Sequence, residues 1–180
     1  KPNHVLYGSG GLGNSTHLAM ELFTWMAGVQ MVHVPYKGGA PSTIALVTGE
    51  VHVSFSSIAS ALSQIRAGKV KAIGVSTLQR SGALPDVPTL DEAGVPGYNA
   101  ASWYGLFAPA GTPKQAIQVL SEEIVKIMRA PDMKDRFLNQ GFDPVGGTSE
   151  EFAKFIREEI PKWARVVKMK FFVYLSSNSF

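Results

Sequence analysis

The sequence predicts an α/β fold, with a mostly parallel sheet of βαβ units in its first half and helices in its second. Three observations predict it. Short β-type runs alternate with helical runs of about 8–12 residues as far as Ser76, the pattern of parallel strands joined by crossover helices. Each of the first three strand-to-helix junctions is rich in glycine, serine or threonine. Beyond Thr112 the apolar spacing is helical, yet almost no strands remain for those helices to cover.

The elements follow in order. Residues 4–7 read as a strand, and Gly8-Ser9-Gly10-Gly11-Leu12-Gly13-Asn14 as the turn after it. Leu18, Leu22, Trp25 and Met26 recur at helical spacing, with Gly28 as the stop. Residues 31–35 form a second strand, and Tyr36-Lys37-Gly38-Gly39-Ala40 opens a helix through Leu46. Residues 51–55 form a third strand, with Ser56-Ser57 leading into a helix through Arg66, and residues 71–76 a fourth. Prolines and glycines then make 79–99 a loop with one helical turn near 89–93, and 100–109 is extended. Thr112 is placed to cap a helix with Pro113 at its first position and Ile117, Leu120, Ile124 and Ile127 as its stripe. Pro131 ends that helix, and a short one runs to Asn139 before Gly141. Thr148 and Glu151 spell a capping box for a last helix whose inner face is Phe152, Phe155, Ile156, Ile160 and Trp163. Pro161 inside it predicts a kink or break.

Composition narrows the function. The 180 residues are 45% hydrophobic and 17% charged, a globular composition with enough chain for a real core. No apolar run reaches the roughly 20 residues of a membrane helix. A net charge of +3 without a basic cluster gives nucleic-acid binding little support. The absence of cysteine excludes disulfides, thiolate metal sites and cysteine nucleophiles. The chain opens at Lys1-Pro2-Asn3-His4 with almost no lead-in to its first apolar run, as the middle of a longer protein would.

Two readings of the junctions compete. Gly8-x-Gly10-x-x-Gly13, after a strand and before a helix, matches the dinucleotide fingerprint. The acid expected about 20 residues on is missing; His33, Tyr36 and Lys37 stand there instead, leaving Lys37 for the 2′-phosphate of NADP. The second reading uses all three junctions. In a parallel sheet they share one edge, and each delivers a helix N-terminus whose N–H groups and dipole favour an anion. Ser9, Gly10, Gly13, Asn14 and His17 come from the first junction, Tyr36, Lys37, Gly38 and Gly39 from the second, and Ser56 and Ser57 from the third. Such a set suits a carboxylate held by neutral donors, without catalytic machinery. His17 serves equally as a ligand contact or a structural histidine, and Tyr36 and Lys37 have structural readings of their own. His4, His17, His33 and His52 show no metal spacing, so neither a metal nor a cofactor is expected. Trp25 and Trp163 read as core. Trp103 and Tyr104 are either core or exposed to a cleft by a crossing strand.

Longer motifs then resemble a known family. Ser9-Gly10-Gly11-Leu12-Gly13 with His17-Leu18-Ala19, Val34-Pro35-Tyr36-Lys37-Gly38-Gly39-Ala40-Pro41, Ala83-Leu84-Pro85-Asp86-Val87-Pro88-Thr89, Trp103-Tyr104-Gly105-Leu106-Phe107-Ala108-Pro109-Ala110-Gly111-Thr112-Pro113 and Pro144-Val145-Gly146-Gly147-Thr148 are similar, in order, to motifs of the Bug family. These are extracytoplasmic solute receptors of tripartite tricarboxylate transporters. The resemblance runs to about residue 168. It implies a periplasmic-binding-protein-like fold that closes on a small organic acid or amino-acid carboxylate, works with the transporter's membrane components and resides in the periplasm. Family members are considerably longer, so the resemblance implies that most of one lobe precedes Lys1. Ser56-Ser57 stand where the family commonly has Asp-Asn, which predicts an altered ligand preference, and Leu12 replaces a usual polar residue.

The combined expectation is a non-enzymatic receptor. Residues 1–100 form the ligand-binding α/β lobe, and 101–180 form a crossover strand and the helical remnant of the other lobe. The alternative is a fragment of an NADP-dependent oxidoreductase. The uncovered apolar stripes, with the Phe171-Phe172-Val173-Tyr174-Leu175 tail as a strand or packed arm, predict self-association that buries Phe107, Ile124, Phe155 and Trp163.

Overall fold

The computed structural model describes residues 4–177, with side chains through Lys168. Three strands, β1 (Leu6–Ser9), β2 (Val32–Pro35) and β3 (Val53–Ser54), form a parallel sheet in the order β2-β1-β3. Helices α1 (Ser15–Met26), α2 (Gly39–Thr48) and α3 (Ile58–Arg66) follow the three strands in turn. Central β1 pairs Tyr7 with His33 on one side and with Val53 on the other. All three strands therefore end at one edge, and all three helices begin there.

The expected fourth strand is reduced to a bridge between Val75 and Thr89. Residues 71–76 lie alongside the 88–90 loop instead of joining the sheet: Val75 and Leu90 exchange backbone bonds with Pro88 and Val75 at 2.9 Å each. The loop holds itself. Thr89 and Glu92 cap each other at 2.8 and 3.0 Å, making the single helical turn, and Arg80 Nε donates to Glu92 at 2.9 Å. Val75 spends its backbone hydrogen bonds on this loop and the Ser76 carbonyl accepts from Ala100 N–H at 2.8 Å, which the strand-like composition of 71–76 did not disclose.

The core gathers Ala19 and Leu22 of α1, Tyr98, Ala100 and Val166, with Phe23, Phe55 and Trp163 packed against it. Tyr98 is fully buried, and its hydroxyl donates to the Ala19 carbonyl at 2.7 Å. Trp25, expected in this core, is 57% exposed. Its position on α1 falls just off the stripe that carries Ala19, Leu22 and Met26.

The second half holds α4 (Lys114–Arg129), α5 (Pro131–Asn139) and α6 (Ser149–Ser177). Pro113, not Thr112, is the N-cap of α4; the Thr112 hydroxyl donates back to the Pro109 carbonyl at 2.8 Å. The capping box of α6 forms as the sequence predicts, Glu151 accepting from Thr148 N–H at 2.8 Å and Thr148 Oγ1 from Glu151 N–H at 3.2 Å. Helix α6 is not broken at Pro161. Arg157, whose carbonyl the ring deprives of a donor, is exposed and within reach of water. Across the same turn, Glu159 accepts from Lys162 at 2.5 Å and from Trp163 Nε1 at 2.7 Å. Ile160, expected on the inner face, is exposed, as are Leu120 and Ile127 of α4.

Residues 101–109 are extended but form no strand. Trp103 meets Phe152 and Phe155 edge-on, Phe107 meets Phe152 and Tyr104 meets Phe142, while Leu106 is exposed. Phe107 is 71% exposed, and Ile124, Phe155 and Trp163 are half-buried. The side chains of the aromatic tail lie outside the described residues. No helix among the described residues is long and apolar enough to cross a membrane.

Candidate functional site at the sheet edge

The first junction is a glycine turn closed by its own side chains. Gly10 N–H donates to Thr16 Oγ1 at 2.9 Å, Gly11 N–H to Ser9 Oγ at 3.2 Å, and Gly13 N–H to His17 Nδ1 at 3.1 Å. Asn14 caps α1, its Oδ1 accepting from Thr16 N–H at 3.0 Å. Gly11, at φ 130°, could not be replaced without strain, and a Cβ there would lie 3.1 Å from the Tyr36 carbonyl.

The second junction is stitched to the first. Tyr36 N–H donates to the Ser9 carbonyl at 3.1 Å, and Gly38 N–H to the Gly10 carbonyl at 3.0 Å. The Tyr36 ring turns aside, and its hydroxyl donates to Glu50 at 2.8 Å. Desolvation, and then Glu50, raise the pKa of that phenol. Lys37 is exposed and carries the one full positive charge within the three junction sequences. Gly38, the N-cap of α2 at φ 114°, supplies no side chain, so α2 begins without a side-chain cap. Gly39 sits against α3, where a Cβ would come within 3.0 Å of Ser60 Oγ.

The third junction is lined by hydroxyls. Ser54 Oγ donates to the Gly8 carbonyl at 3.1 Å and lies 2.9 Å from Ser42 Oγ and 3.0 Å from Ser56 Oγ. Thr43 Oγ1 reaches Ser56 Oγ at 3.4 Å. Ser57 caps α3, accepting from Ser60 N–H at 3.3 Å and donating to Ser60 Oγ at 2.9 Å. Ser42 and Thr43 are buried parts of this floor that the sequence reading left out. Their signal was available: two hydroxyls in the first turn of the helix after Gly38-Gly39 face the same edge as the junction.

The eleven sequence-predicted residues thus occupy one edge, in differing ways. Gly10, Gly13 and Gly38 engage their N–H groups within the loops, Asn14 and Ser57 serve as caps, and Tyr36 bonds to Glu50. Ser9 is fully buried and bonds to His33 Nε2 at 2.6 Å. The His33 ring stacks between Tyr7, at 4.8 Å, and His17, at 4.1 Å. Burial first, then the neighbouring His17, lower its pKa to about 4, so His33 is neutral at pH 7. Burial raises that of the Tyr7 hydroxyl, which donates to Glu21 at 2.5 Å.

This edge can present neutral hydroxyls and helix N-termini to an anion. It lacks a feature of a dinucleotide site. There the third glycine lets the helix pack closely on the strand. Here a Cβ at Gly13 would meet nothing within 4 Å, and the demand for glycine comes from φ 73°. Close packing belongs instead to Gly8, where a Cβ would lie 2.6 Å from Ser42 Oγ. A separate cleft is lined by Arg129, Lys134 and Asp143; Asp143 accepts from Ser81 Oγ at 2.6 Å and Gly82 N–H at 2.8 Å.

Comparison with known proteins identifies the family. The model of the tripartite tricarboxylate transporter family receptor matches residues 1–171. A UPF0065 protein from the tcbD–tcbE intergenic region of a Pseudomonas strain is 38% identical, over 92% of this chain and 50% of its own length. Protein BugT of Bordetella pertussis is 33% identical, over 93% of this chain and 52% of its own. The chain thus spans about half the length of each of these relatives. Among solved structures, R. palustris Rpa4515 with adipate superposes with a TM-score of 0.86 at 34% identity, covering 93% of this chain and 56% of that one. MatC from Rhodopseudomonas palustris, with bound malate, gives 0.74 at 30% identity, covering 92% and 57%. The chain belongs to the tripartite tricarboxylate transporter receptor family, a family of solute-binding receptors and not of enzymes, and its fold is that of a periplasmic binding protein.

Proposed function

We propose that this member of the receptor family binds a small carboxylate at the edge where β1, β2 and β3 hand over to α1, α2 and α3. The observation that carries the reading is the parallel register of β1 with both neighbours, together with the Gly38 N–H bond to the Gly10 carbonyl, which unites the junctions. The uncapped start of α2 offers N–H groups and the positive end of a helix dipole, and Lys37 adds a charge beside them. Relatives with adipate and malate support a dicarboxylate. Residues 1–100 then act as the ligand-binding lobe, and 101–180 carry the crossover segment and helices of a second. The receptor works in the periplasm and delivers its ligand to the membrane components of a tripartite transporter.

A receptor that closes gains affinity by desolvating its ligand between two lips. Contacts from residues 1–100 alone are expected to give a dissociation constant for adipate or malate near or above about 100 μM, where each tenfold is ~1.4 kcal/mol. Calorimetry with C4 to C6 dicarboxylates, amino acids and NADPH tests this. Saturable binding of a dicarboxylate supports the reading, while silence across the acids with tight NADPH binding overturns it.

A further inference from the structure

Residues 102–104 run beside the sheet edge, and the ligand reading gives them no part. Their orientation is set by α6. Trp103 meets Phe152 and Phe155 edge-on, Phe107 meets Phe152, and a Cβ on Gly105 would collide with the Phe152 ring. Along an extended chain, alternate side chains point to opposite faces. With 103, 105 and 107 turned to α6, Ser102 and Tyr104 share the face turned away from it.

Two contacts locate that face. Ser102 Oγ donates to Ser15 Oγ at 3.1 Å, and Ser15 Oγ donates to Asn14 Oδ1 at 3.2 Å. The segment is thereby tied to the cap and first turn of α1. The Tyr104 ring meets Phe142 edge-on, with centroids 5.6 Å apart. Phe142 follows Gly141, whose backbone packs against Ile58 and Ala59 in the first turn of α3. Ser102 and Tyr104 are two residues apart, about 6.6 Å along an extended chain. In that distance the segment passes from the start of α1 to the loop that rests on the start of α3. Those are two of the three helix starts that define the ligand edge.

Tyr104 also differs from its counterparts in what its hydroxyl does. Those of Tyr7, Tyr36 and Tyr98 donate to Glu21, Glu50 and the Ala19 carbonyl. That of Tyr104 has no hydrogen-bond partner among the described residues, and the side chain is 76% exposed.

We propose that Tyr104 is a further ligand contact and specificity residue of the receptor, so that the second half of the chain contributes to the site. The inference rests on the receptor reading above and narrows its ligand to a dicarboxylate with an apolar spacer. One carboxylate lies at the start of α2 beside Lys37. The Tyr104 phenol donates to the other, a hydrogen bond strengthened by the charge on its acceptor. The Tyr104 and Phe142 rings face the methylenes between the two, an apolar wall with one placed polar group.

The test titrates adipate into wild type, Tyr104→Phe and Tyr104→Ala at pH 7.5, following amide shifts at residues 9–17, 36–43 and 54–60. Thermal melting of each variant registers the fold. Tyr104→Phe keeps the ring on Phe142 and melts with wild type, yet binds adipate about tenfold more weakly, the loss of one hydrogen bond to a carboxylate. Tyr104→Ala, which also loses the wall, binds more weakly still. In wild type, intermolecular NOEs connect the adipate methylenes to the Tyr104 ring protons. Saturable wild-type binding that both variants leave within about twofold, or NOEs that omit Tyr104, overturns the assignment and leaves the receptor reading standing. Wild-type affinity in Tyr104→Phe with a loss confined to Tyr104→Ala also overturns it, because the ring would then only pack. A wild-type chain silent to adipate and malate overturns the receptor reading, and the assignment with it.

Discussion

The two halves of the chain use the same sequence grammar to different ends. Helix α2 lies on the sheet and buries Ser42, Thr43 and Ala45, while α1 buries Ala19 and Leu22 against Tyr98, Ala100 and, on α6, Val166. Helix α4 carries a clearer apolar stripe yet buries no residue, and Leu120 and Ile127 stay more than half exposed. An amphipathic pattern states that a face is to be covered, not that a cover is present. For α2 the cover is the parallel sheet, and for α1 it is Tyr98, Ala100 and the Val166 face of α6. In the second half, residues 101–109 meet Phe152 and Phe155 of α6 and Phe142 after α5, but form no strand for α4 to lie on.

The sharpest way to break this contrast is at the seam. Gly141, at φ 83°, packs against the start of α3, where a Cβ would lie 2.7 Å from Ala59 N and 2.9 Å from its Cα. Neither backbone can yield cheaply. Gly141→Ala is expected to cost about 3 kcal/mol or more, combining a strained backbone with overpacking, and to detach α5 from α3. Thermal melting together with proteolysis of the second half would register it; a melting temperature within a degree of wild type would show that the halves do not depend on this contact.

Matched core truncations come next. Met20→Ala removes a buried side chain and is expected to cost about 2–4 kcal/mol in urea unfolding. Leu120→Ala, on the exposed stripe, should stay within about 0.5 kcal/mol. If the two losses were equal, α4 would be covered in solution, as self-association through Phe107, Ile124, Phe155 and Trp163 would accomplish. Sedimentation of the wild-type chain distinguishes that assembly, heavier than 19.4 kDa, from a monomer. The smallest effect is local. Thr148→Ala removes one half of the α6 capping box and should cost about 1 kcal/mol, seen as fraying of residues 149–152 in amide exchange.

The sequence made legible whatever its local signals specify. The first three strand–helix alternations and the Thr148–Glu151 box depend on residues within a few positions of one another, and each is present. What it concealed depends on tertiary partners. Residues 71–76 have strand composition, but the Thr89 loop takes Val75 before the sheet can. Pro161 lies within an unbroken helix, on a turn where Arg157 is exposed and Glu159 accepts from Lys162 and Trp163. At the site, residue types and the shared edge were readable, but individual roles were not. Nothing local distinguishes Tyr36 facing a ligand from Tyr36 bonded to Glu50, or discloses that His33 reaches Ser9. The His33 contact follows from the β1–β2 register, which no short motif encodes.

The central claim is that three helix starts at one sheet edge receive a carboxylate, and mapping adipate-induced amide shifts onto the chain tests it most directly. The account predicts saturable shifts concentrated in residues 9–17, 36–43 and 54–60, with α4 and α6 unmoved. Shifts that gather instead around Arg129, Lys134 and Asp143 would place the anion in the other cleft and contradict the account.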